Sequence, residues 1–532
     1  MTMISRWILK MVRRRPKKVS LCCIVLICTL FLLASCAGAN PLQEETSAPS
    51  VPSVTSDRSS SASSAKKTEP SAAPEPTPEE IPDRNQYVMD LTLDTSANTI
   101  GGKETVTVVN DSGDTWTELC FRDYPSLFTE GGDSGYDTSG AISQISGVKD
   151  LTNKQNLETA RSEDDVSVVH IVLQTPVLPG RYCIIELSFV TYIPQLASRF
   201  GYMDGVYNIA NFYPVLAVYE DGAWVTEKYF AWGECFFSTV SDYRAVLTLP
   251  EDMTVISSGI SSVRSTVGGQ AVWEINAGQV RDFTLVAGEG FDMVSGRADG
   301  VTVNCYYQFD DSGWGETALA AGMTAVDVFN ETYGEYPYPE LDIVETYLDA
   351  GGMEYPNLVM ISNSLEDDYS PDGYLSIVVA HETAHQWFYG MVGDNQYTEA
   401  WLDESFASYS ELVYAETYSD GDQIRAEVDS LEESLESETI PVPASEYYVN
   451  RSYSEFEDNY AYTRTVYTRG EIFLYRLREA MGTELFDAAL QHYVSEYTYK
   501  TAETDDFEAV IIEYAGDNPQ VRTLLAKYLR QD

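Results

Sequence analysis

Histidine, the side chain best suited to bind a metal or move a proton near neutral pH, occurs only four times in 532 residues. Positive charge is short as well: 33 Lys and Arg stand against 83 Asp and Glu, for a formal net charge of −50. Phosphate binding needs clustered Lys and Arg, and none are clustered beyond the first 18 residues, so a nucleic-acid partner is excluded. Cysteine is too scattered for a metal motif. Cys22, Cys23, Cys28 and Cys36 lie near the start, and Cys120, Cys183, Cys235 and Cys305 are far apart. In "VTVNCYYQF" Cys305 alternates in phase with Val301, Val303, Tyr307 and Phe309, as a buried strand residue does, so these four are read as core thiols. There is no internal repeat and no EF-hand spacing, and the acids of "EDDYSPDG" are read as solvated. What is abundant is core material. Apolar residues make up 44% and aromatics 12%, with 37 tyrosines, and the length calls for at least two domains.

The amino terminus has a different character. Arg6, Lys10, Arg13, Arg14, Arg15, Lys17 and Lys18 precede the apolar run "VSLCCIVLICTLFLLA", and no acid appears before Glu44. This is the pattern of an export signal. The run closes in "LASC", Leu33 to Cys36, which resembles the lipobox of bacterial lipoproteins. That resemblance implies cleavage before Cys36, lipidation of Cys36, and a chain anchored to the cell membrane on its extracytoplasmic side. An uncleaved membrane anchor is the alternative, since the run is just long enough to span a bilayer. Residues 1–35 are therefore read as a signal peptide. Residues 36–83, dominated by Ser, Pro, Ala, Thr and Glu, read as a disordered tether.

From residue 84 the period is two. "YVMDLTLD" sets Met89, Leu91 and Leu93 against Asp90, Thr92 and Asp94, and "ETVTVVN", "YRAVLTLP" and "VTVNCYYQF" repeat the pattern between turn-rich pieces. Residues 84–311 are expected to form an all-β domain. Near residue 312 the spacing becomes helical, through Leu319, Met323, Val326, Phe329 and Tyr333 to a stop at Gly334. The strand-like "ELDIVETYL" and "GGMEYPNLVMIS" follow, then mostly helix, so residues 312–532 are expected to be an α+β domain.

Two of the four histidines fall in "LSIVVAHETAHQWFYG", which reads as one helix ending at Gly390. Four residues apart, His381 and His385 share a face and can reach one metal ion, with Glu382 beside them to accept a proton from an attacking water. Two imidazoles suit zinc, whose catalytic sites add a third protein ligand and leave a position for water. In "EAWLDESFASYSELVYAETY", Glu404 follows His385 after 18 intervening residues, enough for a helix end and a second helix laid alongside. Glu411, two turns on, is read as a solvated acid or one that supports a ligand.

HExxH followed by Glu within "WLDESFASY" resembles the M1 family of zinc aminopeptidases, whose catalytic domain is thermolysin-like. "GGMEY" is similar to the family's Gly-x-Met-Glu-Asn motif, and "VYTRG" to its Tyr-x-Lys-Gly element. The resemblance implies one zinc ion on His381, His385 and Glu404, and Glu382 as general base. It also implies substrate contacts from Gly351, Gly352, Met353 and Glu354, with Glu354 holding a peptide's free amino group, and Tyr467 stabilising the tetrahedral intermediate. Tyr355 in place of Asn is expected to shape the pocket for the first side chain. Asp403 and Ser405 replace Asn and Gly of the family's "WLNEG" form, and Arg469 replaces lysine. For the β-domain residue that assists amine binding, Asn208 and Asn211 are nearby candidates. His492 reads as a helix-surface residue, so the Tyr467 that the resemblance implies is the better donor to the oxyanion, with Tyr462 as the alternative. The implied activity is removal of N-terminal residues from peptides. A thermolysin-like endopeptidase and a non-catalytic peptide-binding lipoprotein on the same scaffold are the alternatives.

Overall fold

A computed structural model describes residues 81–128, 143–230, 233–308, 312–365, 369–437 and 448–530. The signal sequence, Cys36 and the tether fall outside the described residues, as do residues 366–368 of the "EDDYSPDG" turn. Among the described residues no helix is long and apolar enough to cross a membrane.

Alternation along the first strands builds the amino-terminal part. Gln86–Asp94 buries Tyr87, Met89, Leu91 and Leu93 on one face. It forms an antiparallel hairpin with Thr99–Asn110 and pairs in parallel with Ser241–Pro250, inside an eight-stranded sheet. Two four-stranded sheets and a two-stranded one, Tyr219–Glu220 with Ala223–Trp224, complete this part. The shared core is rich in tyrosine, with Tyr87 and Tyr243 stacked at 4.7 Å between ring centroids. All four described cysteines are buried free thiols.

One residue breaks the pattern. Glu104 sits between Met89 and Leu187 in register, is fully buried, and neither carboxylate oxygen has a partner among the described residues. Burial, with Asp123 adding to it, pushes its carboxyl well above the usual range. An acid raised in the fold keeps its full contribution to stability below its unfolded value, about 4.3, and loses it as pH rises through the folded value. Glu104→Met fills the same volume without a polar group to desolvate. It should therefore raise stability at pH 7 by about 1–3 kcal/mol, read as a higher melting temperature, with a smaller gain at pH 4. A melting temperature unchanged or lowered at pH 7 would contradict this account.

The second part begins with strands rather than with a helix. Asp292–Ala298 and Val301–Tyr307 join Glu340–Thr346, Leu358–Ser362 and Gly352–Met353 in one five-stranded sheet, in that order. The alternation of "VTVNCYYQF" groups Val301–Tyr307 with the preceding β domain, whereas its pairing places it in this sheet. Alternation reports that a strand is half-buried, not which sheet it joins. Helix α1 (Ser312–Tyr333) crosses this sheet, and Gly322 lets its backbone lie against Ile343 and Val303. Helix α2 (Tyr374–Ala384) is shorter than expected. His385 caps it, and the chain then winds wider, through Gly390 N–H to His385 C=O, Met391 to Gln386 and Val392 to Trp387. The apolar run continues past residue 385 because those turns are buried too, so hydrophobicity alone did not mark the helix end. Helix α3 (Trp401–Ala415) is buried along its whole length beside α2.

Candidate active site

The end of α2 and the first turn of α3 bring three metal-binding side chains together. His381 Nε2 lies 3.4 Å and His385 Nε2 3.5 Å from Glu404 Oε2. An ion with tetrahedral bonds of about 2.0–2.1 Å holds its ligands about 3.4 Å apart, so this spacing fits zinc. Apart from these two imidazole nitrogens, Glu404 Oε2 is buried without a hydrogen-bond partner among the described residues, as an oxygen reserved for a metal would be. The opposite ring nitrogens are held. His381 Nδ1 is 3.0 Å from Glu411 Oε1, while His385 Nδ1 is paired with Asp403 and lies 3.1 Å from the Phe388 carbonyl. Such contacts fix ring orientation and keep both Nε2 atoms facing the centre. Glu411 is therefore a buried orienting group and not a solvated acid.

The electrostatics fit the same purpose. Glu354, Glu382, Asp403, Glu404 and Glu411 crowd two imidazoles, all of them buried. Burial disfavours the charged form of His381, but hydrogen bonds with Glu404 and Glu411 outweigh it and raise the imidazole to about 10. His385 is raised too, mainly by Asp403 against the cost of its burial. Burial would lift Glu404, yet the two histidines hold it down at about 2, whereas burial takes Glu382 up to about 7. So many buried carboxylates around two imidazoles suit a dication, whose charge would balance theirs.

Gly352 and Met353 form the edge strand of the five-stranded sheet, paired antiparallel with Ile361 and Met360. A Cβ on Gly352 would lie 2.5 Å from Glu382 Cγ and Oε1, so only glycine lets this strand run against the α2 glutamate. Gly351 has looser neighbours, Val378 and Tyr374 at 3.7–3.8 Å. Glu354 follows, with ligand atoms of Glu354, Glu382 and His385 all within 4.8 Å of one another. The Met353 side chain turns into an apolar cluster with Val206, Ile256 and Leu358, so it has only backbone to offer the cleft. Tyr355 joins the same cluster and donates to Asn211 Oδ1.

Tyr467 lies in a π-helical turn, Arg464–Arg469, a widened geometry common at functional sites. Its hydroxyl donates to Glu404 Oε1, and its ring lies parallel to that of His381 with centroids 6.1 Å apart. Tyr462 is nearby, but its hydroxyl is engaged by Tyr453. His492 packs on Tyr514 within a separate helix, Thr483–Tyr497.

The sequence reading missed Glu234. It stands in "AWGECFF" with no periodic or motif signal around it, and the fold carries it to the site. Among the charges that raise the Glu354 carboxyl it ranks first, after burial itself, and it acts on Glu382, Asp403 and Tyr467 as well. Arg199 grips its carboxylate with two hydrogen bonds. The residues expected in its place are committed elsewhere. Asn208 bonds Ser198, Thr346 and Tyr347, and Asn211 bonds Asp282 and Tyr355.

Residues 317–528 match the Peptidase family M1 domain. Aminopeptidase M1-B of Oryza sativa subsp. japonica is 28% identical over 319 residues, covering 56% of this chain and 35% of that protein. Aminopeptidase M1 of Arabidopsis thaliana is 26% identical over 307 residues, covering 54% and 34%. The chain spans about a third of the length of these curated relatives. Among solved structures, an M1 zinc metallopeptidase from Deinococcus radiodurans superposes with a TM-score of 0.61 at 17% identity, covering 85% of this chain and 94% of that one. A two-domain M1 zinc metallopeptidase mutant bound to L-arginine gives 0.62 at 16% identity, covering 85% and 94%. The fold is that of the M1 metallopeptidases, with a β-rich part ahead of the catalytic part.

Proposed function

We propose that the chain is an aminopeptidase that holds one zinc ion on His381, His385 and Glu404. Zinc, when bound, supplies a Lewis acid and lowers the pKa of a bound water. Glu382 then takes the proton from the attacking water and returns it to the departing amine. Tyr467 donates to the carbonyl oxygen as it gains charge. The edge strand at Gly351 and Gly352 pairs with the extended peptide, and its missing side chains let the backbone come close. Glu354 and Glu234 together receive the substrate's amino group.

The carrying observation is the position of Glu354. Its carboxylate lies within 4.8 Å of donor atoms on His385 and Glu382. An amino nitrogen and the carbonyl carbon of the same residue are two bonds apart, so an amine held there places the first peptide bond at the zinc-binding residues. A longer N-terminal extension would have to displace two buried carboxylates, and this disfavours the endopeptidase reading. A bare binding protein has no use for Glu382 and Tyr467 in these places.

For the chain as a whole we propose a lipoprotein tethered through Cys36 to the outer face of the cell membrane, on the strength of the "LASC" sequence. One experiment tests both proposals. Aminoacyl-fluorophores and matched amino-acetylated peptides are given to membrane and soluble fractions of cells carrying the full chain or Cys36→Ala. Release should occur only from free-amine substrates, stop with chelator, and move from membrane to soluble fraction in Cys36→Ala. Equal cleavage of acetylated peptides would refute the aminopeptidase reading, and unchanged membrane fractionation would refute the tether.

A further inference from the structure

Tyr453 occupies a junction between the two ends of the cleft, in a short 3-10 turn, Tyr453–Glu455, ahead of the segment that carries Tyr467. Its side chain is almost wholly buried. Its hydroxyl accepts the backbone N–H of Glu234 at 2.6 Å and donates to the Tyr462 hydroxyl at 2.9 Å. The ring is clamped as well, stacked on Tyr462 at 4.8 Å and on Phe230 at 6.0 Å. Tyr462 in turn meets the Tyr467 ring edge-on at 5.8 Å.

The approach to Glu234 has required a glycine. Gly233 is at φ +72, and a Cβ there would fall 1.7 Å from the Tyr453 hydroxyl. A second grip lies alongside. Tyr397 donates its hydroxyl to the Cys235 carbonyl at 2.9 Å, while its own carbonyl accepts the Tyr453 backbone N–H at 2.9 Å. Residues 234 and 235 of the β-rich part are thereby fastened to two tyrosines of the catalytic part. Arg199 fixes the Glu234 carboxylate from the other side.

We propose that Tyr453 is a positioning residue that sets where Glu234 stands relative to Glu354 and Tyr467, and so tunes recognition of the substrate's free amino group. This rests on the aminopeptidase reading above. It acts through Glu234 and does not touch substrate. A backbone N–H is a directional donor, and removing its acceptor frees the Glu234 peptide to shift by tenths of an ångström. That displacement falls on the amine end of the substrate, while His381, Glu382, His385 and Tyr467 keep their own supports. The cost should therefore appear in binding of the amine and not in the chemical step.

The test is Tyr453→Phe in the full chain, which keeps both ring stacks and deletes only the hydroxyl. Of the two hydrogen bonds lost, only the one from the Glu234 N–H bears on the amine end, so KM for free-amine peptides should rise about tenfold, the scale of that one bond. The kcat should stay within about threefold, zinc content should be unchanged, and the preference for free over acetylated substrate should fall in proportion to KM. A double-mutant cycle with Glu234→Gln separates positioning from general loosening. If Tyr453 works through Glu234, the double variant is no worse than Glu234→Gln alone. Effects that multiply, an unchanged KM, a loss confined to kcat, or a chain that no longer folds would each overturn the proposal. A wild-type chain with no preference for free amines would overturn the aminopeptidase reading and this inference with it. A wild type with that preference, unaltered in Tyr453→Phe, would overturn the inference alone.

Discussion

Glu382→Gln is expected to lose about 10²–10⁴-fold in kcat while keeping its fold and its zinc, the usual scale for removing a general base. Glutamine has the same length and can still accept a hydrogen bond, but it cannot take a proton from water and hand it on. Glu382 touches neither ligand nitrogen, and His381, His385 and Glu404 keep their supports in Glu411, Asp403 and Tyr467. The packing of Gly352 against the residue-382 side chain also survives, because the substitution preserves volume. Steady-state kinetics together with metal analysis on the purified variant provide the check. Near wild-type kcat with full zinc would remove Glu382 from the proposed mechanism, and loss of zinc would recast it as a structural support.

Tyr467→Phe is expected to lower kcat by about 10²–10³-fold with little change in KM, as the loss of one oxyanion donor does. A carbonyl oxygen carries little charge on binding and nearly a full negative charge at the tetrahedral stage, so a phenol aimed at it helps chiefly in the transition state. In the substrate-free chain this hydroxyl donates to Glu404 Oε1. It must therefore exchange one carboxylate oxygen for the substrate's during turnover. Phenylalanine removes that bond also, and metal analysis belongs in the test: a fall in zinc content that tracks the fall in kcat would mean that Tyr467 serves Glu404 and not the substrate. Tyr462→Phe is the comparison. Its hydroxyl accepts from Tyr453 and, unlike that of Tyr467, makes no hydrogen bond to a metal-ligand candidate among the described residues, so its loss should cost much less. Collapse of kcat in Tyr462→Phe with normal turnover in Tyr467→Phe would reverse the assignment.

The metal-binding trio was legible because its spacing is local. His381, Glu382 and His385 lie within a little over one helical turn, and the 18 residues to Glu404 fit a helix end and the start of its neighbour. The core of each part was legible for a related reason. Burial on one face of a strand or helix imposes its own period, and Tyr87, Met89, Leu91 and Leu93 follow it as written. Four elements also resembled a family's pattern in the right order, which singled out Glu354 and Tyr467 as candidates before any geometry was known.

Other features depended on contacts between residues distant in sequence, and no local pattern encodes those. Glu234 joins the site because residues 199 and 453 hold it there, 35 residues before it and 219 after. Asn208 and Asn211, chosen for being near in sequence, were already claimed by other partners. Met353 and Tyr355, inside the "GGMEY" motif, pack into an apolar cluster with Val206, Ile256 and Val286 of the β-rich part. Glu411 and Asp403 became orienting groups only when α2 and α3 were laid together. The sequence by itself determined which side chains could do the chemistry and which elements would carry them, since periodicity and short spacing are properties of the local chain. The tertiary structure alone decided which carboxylates surround the histidines, which sheet each strand joins, and which tyrosine hydroxyl reaches Glu404, because each of these is settled by packing between segments far apart along the chain.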